Sequence, residues 1–189
     1  GKCLNAGQTC IAPDYVLLPA TALPAFIQAA RHCVAARYPN LAANPDYTAI
    51  VNPRHWQRLH GLLDEARASG TEIIPLGDSG NADTRRLPPT LIINPDAMLR
   101  VMQEEIFGPL LPILTYEHLD DALAFINARD RPLALYLFDR DRRRIASMLD
   151  ETIAGGVTVN DTILHIAQDE LPFGGVGPSG MGHYHGQSG

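Results

Sequence analysis

Apolar positions recur along this chain in two rhythms, and the switches between them predict its elements. Short apolar runs rich in β-branched and aromatic residues and bounded by Pro, Gly or Asn read as strands. They are Asp14 to Pro19 (DYVLLP), Thr71 to Leu76 (TEIIPL), Pro89 to Asn94 (PTLIIN), Leu111 to Tyr116 (LPILTY), Leu133 to Phe138 (LALYLF) and Gly155 to Asn160 (GGVTVN). Elsewhere the apolar residues return every three or four positions, as on one face of a helix. Leu23, Phe26, Ile27, Ala30 and Val34 make one such stripe, with Thr21 as its predicted cap and Pro24 in its first turn. Cys33 borders that stripe and is expected to be a small buried hydrophobe. A second helix runs from Pro53 to about Ala68, capped by Asn52 and ended by Gly70, with Trp56, Leu59, Leu62, Leu63 and Ala66 turned to the core. His55 and His60 fall at its edge. Further helices are expected near Leu119 to Ala128 and Arg140 to Leu149. The segment Gly77 to Pro89, which contains a GDSG turn, reads as an exposed loop. Strands and helices alternating with short connections predict an α/β fold, a mostly parallel sheet with helices on both faces, in one domain.

Composition narrows the function classes. With 46% hydrophobic and 19% charged residues, the 189-residue chain can bury a full core. No apolar run approaches the ~20 residues that cross a bilayer, so no membrane segment is expected. The net charge of −6 argues against a nucleic-acid partner, which would need Lys and Arg clustered on one face. The one basic run, Arg140 to Arg144, is interleaved with Asp139 and Asp141 and reads as a solvated helix face. Cys3, Cys10 and Cys33 have no zinc or redox spacing, which suggests a reducing, cytoplasmic compartment. The chain opens on GKCLNAGQTC without Met and stops after GHYHGQSG, so it is expected to be a piece of something longer.

Three segments are too specialised for their places. In Leu4 to Cys10 (LNAGQTC), Gly7 permits an unusual backbone turn just before a thiol. A cysteine held on such a turn is a nucleophile if its thiolate is stabilised, but buried inert thiols are common, and the heptad alone leaves both readings open. In Gln103 to Pro109 (QEEIFGP), two acids and an aromatic precede a Gly-Pro break. That is either a solvated loop anchored by a buried Phe or a carboxylate that accepts vicinal ribose hydroxyls beside an aromatic ring. Leu171 to Gly186 (LPFGGVGPSGMGHYHG) contains a G-x-G-x-x-G string from Gly175 to Gly180. Pro178 and Gly182 break any following helix, so it is not a dinucleotide fingerprint. His183 and His185 lack a third metal ligand.

In this order, NAGQTC, EEIFGP and PFGGVGPSGMGHYHG resemble the nucleophile, cofactor-side and carboxy-terminal motifs of the aldehyde dehydrogenase superfamily. The wording from Val159 to Gly186 resembles its class 3 branch, and NAGQTCIAPDYVLLP with GMGHYHGQ is similar to bacterial members that act on coniferyl aldehyde. The resemblance implies that Cys10 is the nucleophile, forming a thiohemiacetal and then a thioester, with its backbone N–H helping to hold the oxyanion. It implies Glu105 on the nicotinamide ribose of NAD or NADP, Phe107 near the nicotinamide, Phe173 lining the aldehyde pocket and His165 as a weaker candidate there. It further implies that residues 1–189 are a catalytic domain whose amino-terminal NAD-binding domain, general-base Glu, oxyanion Asn and carboxy-terminal oligomerisation tail are absent. The fragment alone would then be inactive. The partners so implied are a small-molecule aldehyde, aromatic or otherwise hydrophobic, and, for the full-length protein, further copies in a homodimer or homotetramer. Two alternatives stay open: a relative that passes the acyl group to coenzyme A, and a non-catalytic domain that retains the fold.

Overall fold

The computed structural model describes residues 1–78 and 83–188, so the end of the GDSG turn lies outside the described residues. The backbone separates into two compact units, Gly1–Glu117 and His118–Gly189.

The first unit is built on a four-stranded sheet of β1 (Val16–Pro19), β2 (Glu72–Pro75), β3 (Thr90–Ile93) and β4 (Leu110–Tyr116), in the order β1-β4-β3-β2. β4 pairs in parallel with β1 and β3, in registers such as Val16 with Ile113 and Leu91 with Leu111. β2 joins the edge antiparallel, with Ile73 opposite Ile92. All four residues of β3 are buried. Successive side chains on a strand point to opposite faces, so the sheet is covered on both. On one face Leu18, Ile74, Leu91, Ile93 and Ile113 form a core over which α1 (Leu23–Arg37) lays Leu23, Phe26, Ile27 and Ala30. The predicted stripe is therefore the packed one.

The cap of α1 is not the predicted one. β1 runs through a 3₁₀ turn at Ala20–Ala22 straight into the helix, and Ala22, with φ −87° and ψ −13°, occupies the cap position. No extended residue is left from which Thr21 could cap. Cys33 is exposed rather than buried, because only Val34 of that last turn reaches the core. With Cys3, Cys33 borders a cavity of about 200 Å³.

α2 (Pro53–Ala68) follows its sequence pattern. The Asn52 carboxamide accepts the His55 N–H at 2.8 Å, and Trp56, Leu59, Leu62, Leu63 and Ala66 are buried. Gly70 ends it with φ +80°. Of the segment expected to be an exposed loop, Gly77, Asp78, Asp83 and Thr84 are exposed, but its end is not. Leu87, Pro88 and Pro89 are buried, and the Leu87 carbonyl accepts the hydroxyl of buried Tyr47 at 2.7 Å. A short helix, α3 (Arg100–Gln103), precedes β4.

The second unit holds α4 (Leu119–Asn127), β5 (Ala134–Leu137), α5 (Arg142–Glu151) and β6 (Gly156–Val159), with β5 and β6 paired in parallel. The chain is α/β with mostly parallel pairing, as expected, but the described strands form two sheets rather than one. β5 was expected to be buried, yet only Leu137 is, and Phe138 is 66% exposed. A two-stranded pair with no buried residue on α5 has too little cover to bury both of its faces. The basic run behaves as predicted: Asp141 caps α5 by accepting the Arg143 and Arg144 N–H groups, and Arg144 grips Asp139 at 2.7 and 2.8 Å. Those donors hold the Asp139 carboxyl well below the usual carboxylate range.

Candidate active site

The segment before Cys10 folds into a left-handed turn. Asn5, Ala6 and Gly7 have φ of 49°, 52° and 73° in succession. Such angles are strained for the two non-glycine residues, so hydrogen bonds must hold them. The Gln8 N–H donates to the Asn5 carbonyl at 3.1 Å, and the Asn5 carboxamide donates to the Gln8 carbonyl at 3.1 Å. The Gln8 side chain donates to the carbonyls of Asn5 (3.0 Å) and Ala49 (3.1 Å) and accepts the Val51 N–H (2.9 Å). Gly7 meets a second demand, since a Cβ there would lie 2.3 Å from the Gly108 carbonyl oxygen. The turn is thus pressed against the second specialised segment. Gln8 and Ile11 are buried on either side of Cys10, whose thiol is exposed. Beside it the Thr9 hydroxyl is buried with no hydrogen-bond partner among the described residues.

The Glu104 to Pro109 loop is pinned from three directions. Arg58 on α2 donates to the Glu104 carboxylate at 3.3 Å and to the Ile106 carbonyl. Asp14 accepts the Ile106 N–H at 3.2 Å. The Arg58 Nε–H also donates to His55 Nδ1 at 3.2 Å, which assigns the ring proton to Nε2, 2.6 Å from the Phe107 carbonyl it then bonds. Ile106, fully buried, is the loop's anchor. Phe107 is not the buried residue its bland reading expected: with φ 49° the residue is 37% exposed, and its ring stands edge-on to His55, centroids 6.2 Å apart. Gly108 seats the loop on α2, where a Cβ would lie 2.6 Å from both Leu59 methyls. Glu105 is exposed and joins none of these bonds among the described residues. A free carboxylate and an open aromatic face on a fixed loop suit a vicinal diol carrying a flat ring.

Charge beneath the turn is muted. Lys2 and Asp14 are near enough to attract, yet burial dominates both: it lowers Lys2 to about 8 and raises the Asp14 carboxyl. Burial likewise pushes the Cys3 thiol up, which disfavours its thiolate.

In the second unit Phe173 is buried. It pairs with Tyr184 through two backbone hydrogen bonds of 2.7 and 2.9 Å and stacks on His165, centroids 5.9 Å apart. His165 shares a 2.9 Å hydrogen bond with Thr158 through Nδ1, while its Nε2 is buried without a partner among the described residues. Desolvation lowers the His165 pKa. The G-x-G-x-x-G string closes into a tight 3₁₀ turn in which the Ser179 hydroxyl accepts the Val176 N–H at 2.8 Å, and no α-helix follows among the described residues. Among the described residues no cluster of three potential metal ligands includes His183 or His185.

The structure brings Cys10's turn together with the loop of Glu105 and Phe107 in one unit. Sequence reading missed His55, Arg58, Asp14 and the Gln8 carboxamide. The three-residue spacing of His55 and Arg58 put both on one face of α2, but what that face meets lies about fifty residues away.

A thiol exposed on a strained turn, locked to a loop bearing a free carboxylate and ring within an α/β scaffold, defines the class. The chain belongs to the aldehyde dehydrogenase family, whose pattern matches residues 1–189. Among its relatives, a probable coniferyl aldehyde dehydrogenase of Pseudomonas aeruginosa is 56% identical over 189 residues, covering 100% of this chain and 39% of that protein. Mouse aldehyde dehydrogenase family 3 member A2 is 47% identical, covering 99% of this chain and 38% of the relative. Among solved structures, the substrate-bound state of Staphylococcus aureus AldH superposes with a TM-score of 0.92 at 45% identity, over 99% of this chain and 40% of that one. A Mycobacterium tuberculosis aldehyde dehydrogenase complexed with NAD+ gives 0.82 at 25% identity, over 99% and 39%. The chain therefore spans about two fifths of the length of these relatives. No described helix is long and apolar enough to cross a membrane.

Proposed function

We propose that residues 1–189 are the cysteine-bearing catalytic domain of an NAD(P)-dependent aldehyde dehydrogenase that converts a hydrophobic, aromatic aldehyde of the coniferyl type to its acid. The observation that carries this is the exposed Cys10 thiol on a turn interlocked, Gly7 against Gly108, with the loop presenting Glu105 and Phe107. The relatives named for coniferyl aldehyde support the substrate class, and the solved relative holding NAD+ supports the cofactor.

Cys10 Sγ adds to the aldehyde carbonyl carbon, and the carbonyl oxygen, as it gains charge, is met by the Cys10 backbone N–H. Glu105 accepts hydrogen bonds from the ribose hydroxyls of the cofactor, and Phe107 packs beside its nicotinamide ring. When bound, NAD(P) supplies the hydride acceptor. Cys10 carries the acyl group as a thioester until water releases the acid. In the second unit Phe173 and His165 are the residues we assign to the body of the aldehyde. The general base, the cofactor's own domain and the oligomerisation segment are assigned to sequence outside these residues, the full-length protein being a homodimer or homotetramer. Three unpaired thiols favour a reducing, cytoplasmic setting.

The test is Cys10→Ala in the full-length protein. Turnover should vanish while cofactor affinity is kept, and unchanged turnover would exclude Cys10 as the nucleophile.

A further inference from the structure

Gln8 lies two residues before the thiol, and both ends of its carboxamide are engaged. Its Oε1 accepts from Val51 N–H, and both hydrogens of its Nε2 are spent on the carbonyls of Asn5 and Ala49. The amide cannot be turned over, because Val51 N–H only donates and the two carbonyls only accept. The residue is buried, so each bond would be missed if removed. The bonds reach beyond the turn. Val51 precedes Asn52, Asn52 caps α2 at His55 N–H, and the His55 ring holds the Phe107 carbonyl. Hydrogen bonds joined by short backbone steps therefore link the turn that carries Cys10 to the loop that carries Glu105.

We infer that Gln8 is a positioning residue: its carboxamide fixes the turn that presents Cys10 and registers that turn on the Ala49–Val51 segment leading into α2, the helix that holds the cofactor-side loop. The inference rests on the dehydrogenase reading of Cys10. Gln8→Glu isolates the carboxamide's role. It keeps the size and the acceptor for Val51 N–H but sets a carboxylate oxygen against two carbonyls. Once protonated, the introduced carboxyl regains one donor, so the variant should recover as pH falls. Burial and the facing carbonyls raise such a carboxyl above its ordinary value of about 4.3, toward neutrality. Gln8→Met removes all three bonds at similar volume and has nothing to titrate.

Both variants are made in the full-length protein. Turnover, KM for the nicotinamide cofactor and the rate of Cys10 alkylation by iodoacetamide are followed from about pH 5.5 to about pH 8.5, relative to wild type and with thermal melting alongside. Gln8→Met should lose about tenfold or more in turnover and in Cys10 alkylation at every pH, as expected when a reacting group is misplaced. Gln8→Glu should lose as much at high pH and regain several-fold toward low pH, with KM for the cofactor changing less than turnover. Melting temperatures that drop while turnover and alkylation stay within about twofold of wild type would overturn the inference and leave Gln8 a purely structural residue. Where Gln8→Glu does not fold at high pH, Gln8→Met decides alone. A dead Cys10→Ala beside wild-type-like Gln8 variants sinks only this inference, whereas an active Cys10→Ala sinks the dehydrogenase reading itself.

Discussion

Among the left-handed residues before Cys10, only Gly7 is required to lack a side chain. Asn5 and Ala6 tolerate their angles because the Gln8 and Asn5 bonds close the turn around them. Gly7→Ala would suffer both the positive φ and a clash with the Gly108 carbonyl, a backbone atom that cannot rotate aside. Gly70 also has positive φ but nothing near its missing Cβ. Chemical denaturation should therefore show Gly7→Ala destabilised by roughly 3 kcal/mol or more, against about 1 kcal/mol for Gly70→Ala. Equal losses would mean that the approach of Gly7 to Gly108 does not constrain the fold. That Gly7 marks an unusual turn was legible in the sequence. Its partner, about a hundred residues on, was not, because local spacing carries no information about which loops touch. The same limit explains Cys33: a residue at the border of an apolar stripe turns in or out by a fraction of a helical turn, and here it turns out.

At the scale of elements, the apolar rhythms placed the six strands and the four longer helices of the described residues, since burial of one face is what sets each period. What they could not give was which elements serve the site. α2 is its frame, offering His55 and Arg58 to the backbone of the Ile106–Phe107 peptides and Leu59 to Gly108. In the second unit β6 holds His165, whose ring bonds Thr158 and leaves no room for a Cβ on Gly156. Desolvation holds the His165 pKa below its ordinary 6.5. As pH falls through 6.5 the unfolded chain takes up a proton that the folded ring resists, so stability declines with acidity across that window. The effect is small because the ring is only partly buried. His165→Asn should narrow the difference in melting temperature between about pH 7.5 and about pH 5.5. A wild-type difference that the variant fully retains would assign the acid sensitivity to other groups.

For the whole molecule, the α/β class was legible from alternation alone, while its division into two units was not. Apolar runs such as Leu133 to Phe138 announce a strand equally well whether its faces find cover or stay half open, as β5 does. Family membership was legible in the ordered motifs, and the structure adds the physical reason two of them travel together: the turn of Cys10 and the loop of Glu105 are one interlocked piece. The claim that this piece performs covalent aldehyde oxidation is tested most directly by quenching the full-length protein in acid during turnover with aldehyde and nicotinamide cofactor, then mapping acyl adducts by peptide mass. The account predicts the acyl mass on the peptide containing Cys10 and on neither Cys3 nor Cys33. Continued turnover with no acyl group on Cys10, or with the adduct on another cysteine, would contradict it.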